Sequence, residues 1–265
     1  MSADGRILTG RWMRVIRASP APRLRLLCFA HAGGSASFFR TWAPAVPGDV
    51  ELVAVRYPGR EDRILEPPAT TMPQLAAPIA EVVAELRGVP LVLFGHSMGA
   101  LVAYEVARRL PARHLTGLFV SGRAAPGAGG SEGLATADDD ALVDSLTELG
   151  HTPAEFLTRP ELRDLVLPAY RADCGIVEGY DREWAERAAE ALPIPLTVYH
   201  GVDDRDVDDR DAAGWASVTR SDFGVRAFPG GHFYLVEHAD TLVSDLLSRA
   251  AGPLPGRAAG TGRTA

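Results

Sequence analysis

Gly95-His96-Ser97-Met98-Gly99 sets one hydroxyl between two glycines. An apolar run, Leu91-Val92-Leu93-Phe94, leads into it, and a helical pattern, Leu101-Val102-Ala103-Tyr104-Glu105-Val106-Ala107, leaves it. Strand, tight turn and helix in that order lift a serine oxygen above a sheet edge, where it can attack an acyl carbonyl. The bend requires the glycines, because a Cβ at either position would strike the strand or helix alongside. The N-terminus of the following helix also favours the negative charge that develops on the attacked carbonyl. The spacing of glycine and serine alone is a weak signal. With the strand before it and the helix after it, Ser97 is the expected nucleophile.

A serine hydroxyl needs a base, and the base needs an orienting carboxylate. The histidines are His31, His96, His114, His151, His200, His232 and His238. Where the serine sits at such a turn, the chain order runs serine, acid, histidine, which leaves His200, His232 and His238. His232 directly follows a strand-like run in Phe228-Pro229-Gly230-Gly231-His232-Phe233, where glycines let a loop present its ring. His238 falls in a helical pattern and His200 ends a strand, so His232 is the expected base and His96 a packed neighbour. The acid is sought in Gly201-Val202-Asp203-Asp204-Arg205-Asp206-Val207-Asp208-Asp209, a loop leaving the strand Leu196–His200 at the catalytic edge. Asp203, Asp204 and Asp206 all remain open there. A calcium loop built on Asp204, Asp206 and Asp208 is the rival reading. It fails because Asp209 and Trp215 stand where the turn glycine and the bidentate glutamate belong. The oxyanion needs two N–H donors, one from Met98 and one from His31-Ala32-Gly33-Gly34-Ser35, a glycine-rich loop after the first long apolar strand. That loop lacks the lysine and the glycine spacing of a phosphate cradle.

These groups need a frame. Strands are expected over Leu24–Ala30, Glu51–Arg56, Val89–Phe94, Leu118–Ser121, Leu196–His200 and Val225–Phe228. Helices are expected over Pro73–Arg87, Met98–Leu110, Asp211–Thr219 and about Leu235–Arg249, with Pro78 leaving the start of the first open. Strands apolar on successive residues are covered on both faces, as in a parallel sheet. The alternation reads as a doubly wound α/β fold. With the serine turn it becomes an α/β-hydrolase: a mostly parallel central sheet flanked by helices. Residues 124–195 break the rhythm. Gly and Pro crowd their start, and helical segments follow at Asp139–Leu149, Pro153–Leu157 and Arg159–Glu178 without a strand. A long helical insertion after a sheet strand is expected to be a lid over the site. Residues 1–22 and 252–265, rich in Gly, Pro, Ala and Arg, are expected to fray around one domain.

Composition narrows the alternatives. The 265 residues are 46% hydrophobic, enough for one large core, and no linker divides them. The net charge of −7 is spread along the chain, against the clustered basic stripe of a nucleic-acid binder. Every cationic side chain other than histidine is arginine, from which no function follows. Cys28 and Cys174 stand far apart outside any CxxC pair, and are expected to be buried reduced thiols. No apolar run approaches a membrane span, and Met1 to Arg25 lack the apolar core of a signal peptide. A cytoplasmic protein is expected.

Taken together, the residues resemble the stand-alone type II thioesterases that accompany polyketide and nonribosomal peptide synthases. The likeness covers nearly the whole chain. It rests on Phe29-Ala30-His31-Ala32-Gly33-Gly34-Ser35-Ala36, Tyr57-Pro58-Gly59-Arg60-Glu61-Asp62-Arg63 and the Gly95–Ala100 turn. It continues through Val120-Ser121-Gly122-Arg123, Leu167-Pro168 with Arg171-Ala172-Asp173, and Phe228–Phe233. The resemblance implies Asp204 as the acid and Ala32 with Met98 as the oxyanion donors. It also implies hydrolysis of acyl thioesters on the phosphopantetheine arms of acyl or peptidyl carrier proteins, by a monomer using no metal or organic cofactor. His151 replaces a usual glycine and Cys174 a usual aromatic; both lie in the expected lid and bear on acyl preference. Arg108, Arg109 and Arg113 either offer charge to an acidic carrier or simply suit a helix C-terminus. A carboxylesterase or a chain-releasing cyclase would use the same three catalytic residues. A non-catalytic protein of this fold would be expected to lack one of them.

Overall fold

The computed structural model describes residues 10–86, 88–129, 133–149, 157–184 and 191–250. Its strands are β1 Met13–Arg17, β2 Leu24–Phe29, β3 Val50–Val55, β4 Leu91–His96, β5 Leu115–Ser121, β6 Leu196–Gly201 and β7 Phe223–Phe228. They form one sheet in the order β1-β3-β2-β4-β5-β6-β7. β1 runs antiparallel to β3, and every other neighbouring pair is parallel. The helices are α1 Met72–Glu85, α2 Met98–Arg108, α3 Asp139–Glu148, α4 Pro160–Trp184, α5 Asp209–Gly214, α6 Tyr234–Glu237 and α7 Ala239–Ala250. This is the α/β-hydrolase architecture, with α3 and α4 in the helical insertion.

The strand order explains where a site can form. From β2 the chain moves to β3 on one side, then returns to lay β4 on the other. Loops leaving the carboxyl ends of β2 and β4 therefore diverge, and such a switch point leaves a crevice above the sheet. Phe29 pairs with Gly95 in register, so the His31–Ser35 loop and Ser97 leave the sheet side by side. Every residue of β4 is buried, matching its unbroken apolar run.

Several elements differ from expectation. β1 lies inside the stretch expected to fray. As an edge strand it needs one partner only, and Met-Arg-Val-Ile-Arg lacks the continuous apolar signature of a covered strand. Pro78 sits inside α1, which begins at Met72 with Pro73 in its first turn, where a missing N–H costs little. The helix expected at Asp211 begins at Asp209, capped by Asp208 and Asp211 in a reciprocal box, and tightens to a 3-10 turn at Trp215–Val218. The last helix is two, α6 and α7, separated at His238. α4 runs on past Glu178 to Trp184. Of the expected segment Pro153–Leu157, only Leu157 is among the described residues, and His151 lies outside them.

Candidate active site

Ser97 has φ 54° and ψ −122°. A side chain held in that region costs about 1–3 kcal/mol, which its surroundings must impose. They do so by close contact: a Cβ on Gly95 would overlap the Gly99 carbonyl, and a Cβ on Gly99 would overlap the Phe29 carbonyl. The Ser97 N–H donates to the Ser121 carbonyl at 2.8 Å, tying the turn to β5. Met98 is the first residue of α2, so its N–H has no carbonyl one helical turn earlier.

Across the crevice, His232 Nδ1 lies 2.9 Å from Asp204 Oδ2. Asp206 comes only to 4.0 Å of the same nitrogen and its side chain is 52% exposed, whereas that of Asp204 is 1% exposed. Asp203 is exposed, and its backbone N–H donates to the Gly230 carbonyl at 3.0 Å. Of the three carboxylates left open by the sequence, the structure brings Asp204 to the imidazole. Asp204 is oriented in turn by the Asp206 N–H, 3.0 Å from its Oδ1. The acid and base loops close on one another because Gly201 has no Cβ, which would overlap the Gly230 and Gly231 carbonyls. A carboxylate at Nδ1 keeps the proton there and leaves Nε2 free to accept one from a serine.

Ser97, Met98, Ala32, Asp204 and His232 all line one cavity of about 620 Å³. His200 and His238 do not: His200 is buried with its ring beside Asp209, and His238 lies against Phe228. The Ala32 loop is a tight turn. The His31 carbonyl accepts from Gly34 N–H at 3.0 Å, with Gly33 at φ 71° as a turn of this kind requires.

A thioesterase-domain family model matches residues 24–249. The chain belongs to the thioesterase family. Over 242 residues it is 36% identical to "Thioesterase PikA5" of Streptomyces venezuelae, covering 90% of this chain and 85% of that one. It is 37% identical over 238 residues to a probable cadicidin biosynthesis thioesterase of Streptomyces griseus, covering 89% of this chain and 65% of that protein's length. The structure is similar to YbtT, the type II thioesterase of the yersiniabactin NRPS/PKS pathway. The TM-score is 0.81 at 29% identity, covering 90% of this chain and 97% of that one. The chain is thus a type II thioesterase, a hydrolase of polyketide and nonribosomal peptide biosynthesis.

Beneath the thioesterase's cavity lies a second histidine–serine contact, His96 Nδ1 to Ser121 Oγ at 3.0 Å, and Ser121 Oγ meets Tyr234 OH at 2.7 Å. Both His96 and Ser121 are wholly buried, so no acyl group can reach that serine; the pair supports the floor of the site. The His96 ring is 4.8 Å from that of His232. Burial, aided by the nearby charge of Asp204, pushes the Tyr234 hydroxyl far above its usual range against its bond to Ser121, so it stays protonated.

The insertion is tied to the body through the second half of α4. Arg60 makes a two-pronged pair with Asp173, at 2.6 Å and 2.9 Å, and both side chains are buried. Burial opposes the Arg60 cation, but Asp173 more than offsets this and holds its pKa above the usual value. The Tyr180 hydroxyl donates to Glu105 at 2.7 Å, and Arg123 pairs with Asp181. No role for these residues follows from the sequence, because 113 positions separate Arg60 from Asp173 and only the fold joins them. Arg108 and Arg109 both bind Glu105, so neither is an unengaged docking charge.

Cys28 and Cys174 are both buried, and burial pushes the Cys28 thiol up. Asp204, Asp206 and His232 are also close enough to share a metal ion. The imidazole nitrogen nearest both carboxylates is the one bonded to Asp204, so ligation and acid–base pairing would compete for it. Among the described residues no helix is long and apolar enough to cross a membrane.

Proposed function

We propose that this thioesterase hydrolyses acyl thioesters on the phosphopantetheine arms of acyl or peptidyl carrier proteins. Ser97 is the nucleophile, His232 the base, Asp204 its orienting acid, and the Ala32 and Met98 N–H groups are the oxyanion donors. The observation that carries this reading is the 2.9 Å bond from His232 to Asp204 beside Ser97 in one cavity. His232 Nε2 takes the Ser97 proton as Oγ attacks the thioester carbon. The C–S bond then breaks, and the leaving sulfur receives that proton. Water next gives a proton to His232 and attacks the acyl-serine, and Ser97 recovers its proton as the free acid departs. Residues 124–195 act as the lid. In support, Ser145 and Glu148 of α3 and Tyr170 and Cys174 of α4 reach the cavity. The type II thioesterase of an NRPS/PKS pathway among the similar structures supports the substrate class. All the groups come from one chain, so the reading needs no second copy.

The test compares kcat/KM for one acyl group on a carrier protein, on N-acetylcysteamine and as a simple oxygen ester. The carrier substrate is expected to be fastest. Truncation should lower kcat as well as weaken binding, because remote contacts help to reach the transition state. Equal or better rates on the oxygen ester would reassign the protein to the carboxylesterases. A fluorophosphonate should label the wild type and not Ser97→Ala; labelling of that variant would move the nucleophile elsewhere.

A further inference from the structure

We infer that Arg60 and Asp173 are positioning residues that hold the Ala32 N–H in place for the developing oxyanion. The inference rests on the proposed reading of Ala32 as a donor.

The N–H and C=O of a trans peptide unit point in opposite directions. The carbonyl of the His31–Ala32 unit is held inside the turn by Gly34 N–H at 3.0 Å, so the Ala32 N–H is directed away from it. Two glycines in succession give that turn little stiffness of its own. The stiffness comes from outside. Asp173 Oδ2 accepts from Gly33 N–H at 2.8 Å, and Arg60 Nη1 donates to the Gly34 carbonyl at 3.1 Å. The first and third peptide units after Ala32 are therefore gripped by a pair that is itself closed by two further hydrogen bonds. Glu61 extends the grip, accepting from Ser35 Oγ at 2.8 Å and Ser37 N–H at 3.1 Å.

Charge makes the pairing necessary. A buried carboxylate bonded to the residue after Ala32 would oppose a negative charge forming at the Ala32 N–H. The planar fork of Arg60 neutralises it in a geometry that an ammonium could not reproduce. Asp173 belongs to α4, so the pair also makes the seating of the insertion a condition for a formed oxyanion site.

The experiment measures kcat, KM and affinity for a trifluoromethyl ketone analogue, whose adduct with Ser97 carries the oxyanion. Arg60→Met, Asp173→Asn and the double variant are compared on one acyl-carrier substrate. Loss of a whole oxyanion donor costs about 10²–10³ in kcat, so Arg60→Met should lose about tenfold to a hundredfold. Ketone affinity should fall by the same factor while KM changes less than about threefold, because only transition-state binding is lost. The double variant should recover part of that loss, since the amide introduced by Asp173→Asn would still accept from Gly33 N–H and no charge is left unpaired. Folded variants with wild-type kcat and ketone affinity, or a loss confined to melting temperature, would overturn the inference. If Arg60→Met does not fold, Arg60→Lys, which keeps the charge but not the planar fork, decides on the same two readouts. Replacing Ala32 by lactic acid, which swaps its N–H for an ester oxygen, separates the two levels. An unchanged kcat there removes the donor reading and this inference with it. A loss there without one in the clamp variants removes the positioning role alone.

Discussion

Asp203, Asp204 and Asp206 share one loop and one charge, and they differ in what surrounds them. Asp204 is shielded, bonded to His232 and held by a backbone N–H, whereas the Asp206 carboxylate lies mostly in solvent. Asp204→Asn should cost about 10³–10⁴ in kcat by favouring the wrong imidazole tautomer. Asp206→Asn should change kcat by less than about threefold, as exposed charges usually do. Steady-state rates on one thioester settle the comparison, and a larger loss at Asp206 would reverse the assignment. For the proposed nucleophile and base, motif context points to Ser97, and chain order leaves three histidines, of which His232 alone follows a strand in a glycine loop. The proposed acid cannot be read from spacing, because loop geometry decides which carboxylate meets the imidazole; the family resemblance implies Asp204, and that is the carboxylate the loop brings to His232.

The element that concentrates the chemistry is the contact between β2 and the start of α2. A Cβ on Gly99 would meet backbone carbonyls of Phe29 and Ala30, which cannot rotate aside as a side chain could. Gly99→Ala should therefore cost about 3 kcal/mol or more in urea unfolding, beyond ordinary overpacking. It should also lower kcat, because Ala30 leads into the Ala32 loop. A variant with wild-type stability would mean that the two elements can separate freely. The central strand β4 was readable because burial on both faces writes a continuous apolar run over Leu91–Phe94, and β2 and β6 carry the same signature interrupted at Arg25 and Thr197. β1 was not, since its Val15 is exposed and two of its five residues are arginine. The break between α6 and α7 at His238 also left no sign, for no glycine or proline marks it. Pro78 was legible and misleading: burial of Leu75, Ile79, Val82 and Val83 on one face keeps α1 intact around it.

The whole molecule should lose stability in acid through identifiable carboxylates. Burial alone would raise the Glu105 carboxyl, but hydrogen bonds from Arg109, Tyr180 and Arg108 outweigh it and hold its pKa below the usual range. Bonds from Arg63, and then Arg11, draw Glu66 down to about 2. Both groups bind protons less readily when folded, so their stabilisation is complete above the ordinary carboxylate range of about 4–5 and fades below it. Thermal melts from pH 7 to pH 2.5 should show this decline. Glu105→Gln should melt lower than wild type at pH 7, and the gap should narrow as the pH falls; parallel curves would exclude Glu105 as a contributor. Glu105 also matters for where it reaches. Its partner Tyr180, with Asp173 and Asp181, ties the second half of α4 to the body. Earlier in the insertion, Leu142, Leu146, Leu157 and Leu167 pack with Tyr170 and Cys174 into a small core of their own. Inheritance then acts unequally on the two parts. Changes in what the cavity accepts can accumulate singly in α3 and the first turns of α4, while the last turns can change only in step with Arg60, Glu105 and Arg123.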